Sequence, residues 1–579
     1  MATHLLWVEE DHRVVEADQE VDRVELQDFN LSSFSLNFKK HNTMLGRIAM
    51  SILFFVTFHA ADAQRFSGAV LRVGTDISQS TLQGTARFVG TGGVMGSVGG
   101  DLSNLSTNPA GLGMFSRTEL SLTPSFALNH TGSTYIANDG RGQFETNFDQ
   151  NRYKFTINSM GIVIANRKSD NAVMRTSNVT IGINRTADFN RSVNFGMGRN
   201  SLYSYSSYLA LLATNLEYDR RDFNTDYPAP GTYPAEGNYS SIANLYNRVL
   251  AARNAEAIYS FSPYDFYEDP LKLDSVNVSQ FGQMKTSGGI TELSFAWSTS
   301  LKDKYYIGVS LGIPFINYQT EFIFEEVNRG PVGSSPNAFY GRYGSFEISE
   351  IDKYSGAGVN LKLGGLVKLT ENLKASAYIH TPTFAQLTQE YAITARAYYA
   401  NAVGGSSSPN RTDEFEFNYI TPFKFGGGLS YMLGKRGFIG AEYEFNNLKS
   451  LMINLDNEPQ FTNQLNDALW RQNNNTHAFK IGGEYVFESI RFRAGLNYRT
   501  TPYSKDFTYN DFNASSMTYT FGLGYRGKQV SLDLAYMNTS FKDYRPFYDY
   551  ADNRVNYEMG YTMNNSISQF MATLNFRFK

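Results

Sequence analysis

The sequence contains no cysteine, few charged residues and no hydrophobic run long enough for a membrane-spanning helix. Without cysteine there is no disulfide framework, no thiol nucleophile and no cysteine-based metal site. Charged residues make up 18% of the 579 residues, against about 25% in typical soluble domains. The formal net charge of -4 lacks the basic surplus of nucleic-acid-binding proteins, so no nucleic-acid partner is expected.

Tyrosine, phenylalanine and glycine are abundant instead. The chain has 38 Tyr, 44 Phe and 49 Gly, and its mean hydropathy is nevertheless negative, at -0.35. Many aromatic residues in a chain of polar average composition suit a sheet with one apolar and one polar face. Membrane β-barrels have this character, because one face meets lipid and the other faces the lumen.

An export signal is expected close to the N-terminus, at residues 44–63. Arg47 supplies the positive region, residues 48–58 are apolar, and a small-x-small cleavage site follows. The apolar run is about half as long as a spanning helix requires, which indicates a cleaved signal peptide. Residues 1–43 precede it, so we interpret them as a mis-assigned extension with Met44 as the true start. A cytoplasmic pro-segment is the alternative.

The last hundred residues alternate apolar and polar side chains with a period of two. With Glu488-Ser489 as a two-residue turn, Phe487 pairs with Ile490, and the apolar faces of the two strands coincide. The opposite face carries Arg, Lys, Asp and Glu. Aromatic side chains facing lipid and charged side chains lining a wet lumen account for both faces.

About fourteen such segments are predicted between residues 118 and 579, joined alternately by short and long connections. An even strand number with short periplasmic and long extracellular connections is typical of outer-membrane barrels. The predicted fold is therefore an all-β membrane protein, a 14-stranded antiparallel outer-membrane β-barrel, located in the bacterial outer membrane with both barrel ends in the periplasm. The long connections are expected at 131–151, 193–287, 326–344, 398–411, 452–473, 504–514 and 546–564.

A glycine-rich stretch, residues 84–117, precedes the barrel. It is too rich in glycine to form a helix or strand by propensity, yet too apolar for a solvated linker. Small residues let a backbone coil tightly against walls supplied by other elements. We therefore expect residues 64–117 to form an N-terminal segment and a compact plug in the lumen.

The wording of this stretch carries a resemblance. Gly84-Thr85-Ala86-Arg87, the small residues after it, and Asn108-Pro109-Ala110 before a strand resemble the hatch of FadL-type outer-membrane transporters of long-chain fatty acids and other hydrophobic compounds. The wording is closest to the Bacteroidota-like branch often labelled hemin receptors, and the match covers roughly residues 84–128. Beyond it, the similarity is one of barrel pattern. The last strand resembles the terminal assembly signal of outer-membrane proteins, from which it departs by ending in Lys579 instead of the aromatic residue itself.

The resemblance implies a hatch beside a kinked strand that opens the wall laterally, with residues 177–190 as the counterpart of that strand. A plain structural turn at Asn108-Pro109-Ala110 is the alternative. It also implies a ligand pocket containing an N-terminal aromatic residue, although the stretch carrying it could instead be a periplasmic tail. The residues implied are Asn108, Pro109, Ala110, Gly111 and Phe115 for the hatch and substrate path, and Phe66 and Phe88 for the pocket.

The longest connection, 193–287, contains two amphipathic helical patterns. One interpretation is a cap packed on the barrel rim. The other adds an extracellular groove in which a hydrophobic ligand first lands, with Leu209, Leu212, Leu245 and Val249 as its candidate residues.

These observations lead to a functional hypothesis: a channel for passive uptake of hydrophobic molecules such as long-chain fatty acids, with exit controlled by the hatch and directed sideways. The alternatives are a surface ligand-binding protein, such as a heme receptor or adhesin, and a general polar porin. The expected partners are a long-chain fatty-acid-like or detergent ligand, outer-membrane lipid and lipopolysaccharide, and the barrel assembly machinery. No enzymatic activity, cofactor or metal is predicted.

Overall fold

The computed structural model describes residues 68–138, 143–169, 171–201, 204–206, 208–210, 248–249, 251–252, 255, 278–329, 343–399, 406–407, 411–455, 459–505, 512–552 and 555–578. Three α-helices lie wholly within these ranges: α1 (Gly68–Ser78), α2 (Ala86–Gly90) and α3 (Pro459–Gln472). Three 3-10 turns cover Leu102–Leu105, Pro109–Met114 and Leu448–Ser450. No helix in the described ranges is long and apolar enough to cross a bilayer.

The described strands form one antiparallel barrel of fourteen strands, which confirms the predicted fold class. Some of these strands are interrupted and are given below as two segments. We number them β1 (Glu119–Asn138), β2 (Gln143–Ile164), β3 (Met174–Asp188 and Arg191–Ser201), β4 (Val278–Leu301), β5 (Tyr305–Asn328), β6 (Tyr343–Lys368), β7 (Leu373–His380 and Phe384–Tyr399), β8 (Arg411–Ile420 and Lys424–Met432), β9 (Gly437–Asn446), β10 (Thr476–Phe487), β11 (Ile490–Arg499), β12 (Ser516–Arg526), β13 (Val530–Asp552) and β14 (Val555–Arg577).

The barrel closes where β1 pairs with β14, beginning at Glu119 opposite Arg577. The two-residue turn after Phe487 pairs that residue with Ile490, as the sequence predicts. The short connections, such as this turn and Leu301–Tyr305, all lie at the end of the barrel where β1 starts and β14 finishes. In the closed barrel each strand of the lower wall pairs with a neighbour on both sides. No unpaired backbone edge then faces lipid, which is the condition for β-strands to cross a membrane.

The outside of the lower barrel is an apolar belt with an aromatic girdle at each edge. On β5, for example, the belt runs from Tyr305 to Phe315, both exposed. About ten residues at ~3.4 Å each, tilted by about 40°, rise roughly 26 Å, close to the hydrocarbon thickness that outer-membrane barrels cover. Exposed aromatic residues of the lower girdle are Trp297, Tyr305, Tyr431, Tyr485 and Tyr525, and those of the upper girdle are Phe155, Phe315, Phe384, Phe425, Phe479 and Tyr519. The protein is an outer-membrane β-barrel.

Above the upper girdle the polarity of the strands inverts. On β5, Asn317 and Glu325 now face outward and are exposed, whereas Ile316 and Phe324 face inward and are buried. On β14, Asn564 is exposed and Met563 is buried. Strands of 20 to 26 residues, such as β1 and β6, are about twice as long as a bilayer requires. Their upper halves therefore form a chamber outside the membrane with a wet exterior and an apolar interior.

This extension corrects several predicted boundaries. The connections expected at 131–151 and 546–564 are mostly strand, because the β1–β2 ladder continues to Asn138 opposite Gln143 and the β13–β14 ladder to Asp552 opposite Val555. The connection expected at 193–287 is shorter, since β3 continues to Ser201 and β4 begins at Val278. Beyond the membrane the outward side chains meet water, so the sequence there resembles a loop.

The upper wall is not uniform around the barrel. Strands β9 to β12 contain only 10 to 12 residues and end near the upper girdle. Above them, the short strand Met452–Asn454 pairs with β8, and α3 packs its buried residues Leu465 and Leu469 toward the chamber. In this sector a helix replaces the extended strands.

Candidate functional site

The plug is built from short turns, each of which begins with a capping side chain. Thr85 accepts a hydrogen bond from the Phe88 N–H at the start of α2, and Asp101 accepts one from the Ser103 N–H. The Thr85 hydroxyl in turn donates to the Asp101 carboxylate at 2.8 Å, which joins the two caps. A glycine-rich chain thus gains order from side-chain hydrogen bonds that replace regular secondary structure.

The Asn108-Pro109-Ala110 turn is buried against the wall. The Asn108 side-chain oxygen accepts from the Ala110 N–H at 3.2 Å, and its amide donates to the carbonyls of Gly96 at 2.9 Å and Gly365 at 3.3 Å. Pro109 occupies the first position of the 3-10 turn, where its missing N–H is not needed. Ala110, Gly111 and Phe115 are buried with it. The five hatch residues named from the sequence therefore lie together, and their role in a substrate path stays a prediction.

Inward polar side chains of the wall satisfy the backbone of the plug. Asn178 on β3 donates to the carbonyls of Leu112 and Phe115, each at 2.9 Å. Ser310 on β5 donates to the Leu105 carbonyl at 2.9 Å. Further contacts of this kind run around the barrel: Thr573 and Glu442 accept from the N–H groups of Ala86 and Gly96, and Lys374, His380 and Ser430 bond plug carbonyls.

The inward charges below the girdle are buried ion pairs. Arg493 lies 2.7 Å from Glu484 and 2.8 Å from Asp533, and Arg87 of the plug lies 3.3 Å from Glu484. The expectation that these charges line a wet lumen was wrong for this part of the barrel, since the plug fills the space. Burial alone would lower the pKa of Arg87, but the carboxylates of Glu484 and Asp101 outweigh it and raise that pKa.

Glycines in the strands make room for the plug. A Cβ on Gly364 would collide with the Asn108 side-chain oxygen, and one on Gly308 would collide with the Pro109 carbonyl. Farther round, a Cβ on Gly482 would collide with the Thr91 carbonyl, and one on Gly495 with the backbone of Gly92. These wall glycines were missed in the sequence, where glycine within a strand pattern is a signal of close backbone approach.

Two cavities lie above the plug on either side of residues 79–83, of which Gln79, Thr81, Leu82 and Gln83 line both. The first, cavity A, has a volume of about 140 Å³, and its wall includes Phe88, His380, Lys424 and Arg499. The second, cavity B, has a volume of about 150 Å³. Phe88 is thus both buried in the plug and part of a cavity wall, whereas Phe66 lies outside the described residues.

Cavity B extends to an interruption in the barrel wall. Its lining includes Thr156 on β2 and Asp188 and Phe189 on β3. The β2–β3 ladder covers only Ser159–Ile164 opposite Val179–Asn184. Above it, among the described residues, β2 pairs with β1 and β3 with β4. We call this interruption the β2–β3 seam.

The upper segment of β3 bends inward at the seam. Strand β3 is interrupted at Phe189-Asn190, where the Asn129 amide of β1 donates to the Asn190 carbonyl. Side chains take over where the ladder stops. The Arg152 guanidinium donates to the Arg191 carbonyl at 3.0 Å, and Lys154 pairs with Asp188 at 2.9 Å. Two cationic side chains thus bridge the seam in place of backbone hydrogen bonds.

Helix α1 lies in the lumen above the cavities and contacts both sides of the upper wall. Asp76 pairs with Arg191 on the inward segment of β3 at 3.1 Å, and Arg72 pairs with Asp543 on β13 at 3.4 Å. The Thr81 N–H donates to the Thr186 carbonyl at 3.0 Å. The N-terminal segment is therefore linked directly to the kinked strand, an arrangement that the sequence did not reveal.

The candidate capture residues are only partly described. Leu209 and Val249 are fully buried in the apolar core of the upper chamber, packed with aromatic residues such as Phe324 and Phe346. Leu212 and Leu245 lie outside the described residues. The placement of the first two favours the cap, since a groove open to the outside would require this packing to separate. Capture of a ligand there stays a prediction.

Comparisons with known proteins give structural neighbours only. No protein-family model and no curated protein matches the chain. A FadL homologue from Pseudomonas aeruginosa is 12% identical with a TM-score of 0.48, covering 86% of this chain and 99% of that one. The toluene transporter TodX of Pseudomonas putida is 13% identical, with a TM-score of 0.43 and coverages of 86% and 99%. The toluene transporter TbuX of Ralstonia pickettii is 14% identical, with a TM-score of 0.39 and coverages of 86% and 100%. At these identities the likeness concerns the fold alone.

Proposed function

We propose that this protein is an outer-membrane channel for passive uptake of hydrophobic small molecules such as long-chain fatty acids. The ligand passes from the upper chamber into the lumen cavities and leaves sideways through the β2–β3 seam. The observation that carries the proposal is cavity B, whose wall includes Thr156, Asp188 and Phe189 at that seam.

The driving force is transfer of apolar surface from water to protein and then to lipid. Each step stabilises the ligand by about 25 cal/mol per Å² of apolar surface removed from water, so a long alkyl chain gains several kcal/mol without energy coupling. A sideways route also avoids the polar lipopolysaccharide layer. The seam begins above Ser159 and Asn184, beside the exposed aromatic residues Phe155 and Tyr153. This position supports the proposal of an outlet at the level of the lipid.

The plug argues against a general polar porin, because it fills the lumen below the cavities. Residues such as Val94, Met95, Leu105 and Leu112 are fully buried between the strands. Hatch movement at Asn108-Pro109-Ala110 is part of the proposal, as is the use of Phe66 and Phe88 in the ligand pocket.

Closing the seam covalently tests the route. The chain has no cysteine, so Thr156→Cys combined with Ala187→Cys places one thiol on each side of the seam. We expect a bridged double variant to lose uptake of radiolabelled palmitate in a deletion strain, and reduction of a disulfide bridge to restore it. Each single cysteine variant, treated identically, serves as the matched control. Unchanged uptake by the fully bridged protein would exclude exit at this seam.

The rival function is a surface receptor for heme or another ligand, anchored by the barrel. It is distinguished in the same strain: loss of heme binding with unchanged uptake of fatty acid would favour the receptor. Loss of fatty-acid uptake with unchanged heme binding supports the channel.

A further inference from the structure

Helix α3 presents an unusual combination of side chains to the outside. Its buried face, which includes Leu465 and Leu469, packs into the apolar cluster of the chamber. The opposite face is polar and exposed but carries Trp470, 56% of whose surface is accessible. The Lys449 ammonium lies 4.4 Å from the centre of the Trp470 ring, a cation–π contact, and the exposed Arg471 follows in the chain.

The height of this face is set by the short strands beneath it. Strand β9 ends at Asn446 and β10 begins at Thr476, which pair with each other at the upper end of the ladder. Lys449 follows the end of β9 by three residues, and its backbone N–H donates at 3.3 Å to the side chain of Asn475, the residue before β10. Tryptophan and basic side chains at such a level match the interface between hydrocarbon and lipid headgroups.

A group of aromatic rings, which we call the aromatic shelf, lies directly below on the outward faces of β8, β9 and β10. The Phe425 and Phe445 rings are 4.9 Å apart, and the Tyr443 and Phe479 rings are 5.3 Å apart. The Tyr443 hydroxyl and His477 ring nitrogen are within 2.8 Å of each other. The surface therefore has apolar rings below and cations at the headgroup level above them. A lipid molecule has the same order, with acyl chains below its polar headgroup.

The charge of the surface selects the headgroup. Lys449 and Arg471 are its cations, and Asp467 is the exposed acidic side chain on the same helix. Elsewhere on the extension, Glu325 lies opposite Glu347 and Glu390 opposite Glu414 on neighbouring strands. The nearby cations are already paired with these carboxylates, since Lys353 lies 2.7 Å from Glu390 and Arg396 lies 3.5 Å from Glu347. On the α3 face Lys449 and Arg471 outnumber Asp467, so anionic lipid is attracted to the α3 sector more than to those strands.

We propose that the outer face of α3, with Lys449, Trp470 and Arg471, is a binding site for the phosphate of an anionic lipid in the outer leaflet. The acyl chains lie on the shelf formed by Phe425, Tyr443, Phe445 and Phe479. The site orients the barrel and holds α3 against the membrane surface, where α3 closes the sector in which the wall strands are short. The proposal depends on the barrel lying in a membrane and is independent of which molecule is transported.

Quenching of Trp470 fluorescence tests the site. In a full-length Trp7→Phe, Trp297→Phe background, Trp470 is the one remaining tryptophan. The protein is placed in phosphatidylcholine nanodiscs containing equal mole fractions of either brominated phosphatidylglycerol or brominated phosphatidylcholine. Attraction between basic side chains and anionic lipid at a membrane surface is strong enough that two such side chains correspond to a roughly thirtyfold enrichment. We expect the brominated anionic lipid to quench Trp470 several-fold more than the zwitterionic lipid.

Lys449→Gln combined with Arg471→Gln should abolish this preference while leaving the folded barrel intact by gel migration of the unheated sample. The matched control is Lys302→Gln combined with Lys304→Gln at the opposite end of the barrel, where Lys304 also lies 5.5 Å from an aromatic ring, that of Tyr305. This control should keep the preference. Equal quenching by the two lipids, or a preference that survives removal of both α3 cations, would overturn the proposal.

Discussion

At the scale of single residues, glycines determine how closely the plug approaches the wall, because they have no side chain. Gly364 and Gly308 leave space for the Asn108-Pro109 turn, and Gly482, Gly495 and Gly522 leave space for residues 90–92. Each contact brings backbone against backbone or against a compact amide, so a single methyl group is enough to separate the surfaces. The same closeness lets the Asn108 amide bond to both the plug and the strand.

Gly364→Ala tests how closely the plug and the wall fit, because it adds a single methyl group between them. The new Cβ would fall on the Asn108 side-chain oxygen, and overpacking of this kind costs about 1–3 kcal/mol. Because the strand itself can accept alanine, we expect the barrel to fold and the plug to be displaced, giving larger and noisier conductance in planar bilayers. Gly365→Ala is the matched control, since its Cβ would meet nothing closer than 4.0 Å. Conductance equal in the two variants would contradict the tight fit.

At the scale of elements, the plug is held by the wall mainly through hydrogen bonds and buried ion pairs. Arg493 on β11 joins Glu484 on β10 to Asp533 on β13, and Arg87 brings the plug into the same network. A buried pair of this kind adds little net stability over apolar packing, but removal of one partner leaves unpaired charges at high cost. The network therefore fixes the position of the plug more than it strengthens the barrel.

Arg493→Met should lower the free energy of unfolding by about 3–5 kcal/mol, because Glu484 and Asp533 lose their shared cation inside the protein. The midpoint of the heat-induced gel shift measures the change. Arg491→Met, two residues away and half-exposed, should cost much less. A comparable drop in both variants would mean that the loss comes from strand packing and not from the buried charges.

At the scale of the whole molecule, the strands serve two environments in succession. Below the upper girdle they face lipid outward and the plug inward, and above it they face water outward and an apolar chamber inward. Helix α1 in the upper lumen and residues 79–83 between the cavities connect these two regions. A ligand that moves through the barrel therefore meets an apolar chamber first and the seam afterwards.

Cysteine accessibility checks the proposed membrane level. In intact cells, Asn564→Cys on the upper outside of β14 should react with a membrane-impermeant maleimide, whereas Leu496→Cys within the belt should not, because lipid covers it. Lys528→Cys, in the short turn after β12, should react only after the outer membrane is permeabilised. Labelling of Leu496→Cys in intact cells would place the belt outside the bilayer.

Local sequence patterns are enough to predict the fourteen strands, the alternation of short and long connections and the plug. Lipid requires an unbroken outward row of apolar side chains in each strand. That row appears in the sequence of the strand itself as a pattern with a period of two. The strand extensions, the wall glycines, the β2–β3 seam and the position of α1 were decided only by the tertiary structure. Each depends on what lies opposite a side chain across the lumen or beyond the membrane, as for Gly364 facing Asn108 or Arg191 facing Asp76. No local pattern contains that partner, because it is more than a hundred residues away in the chain or is water in place of lipid.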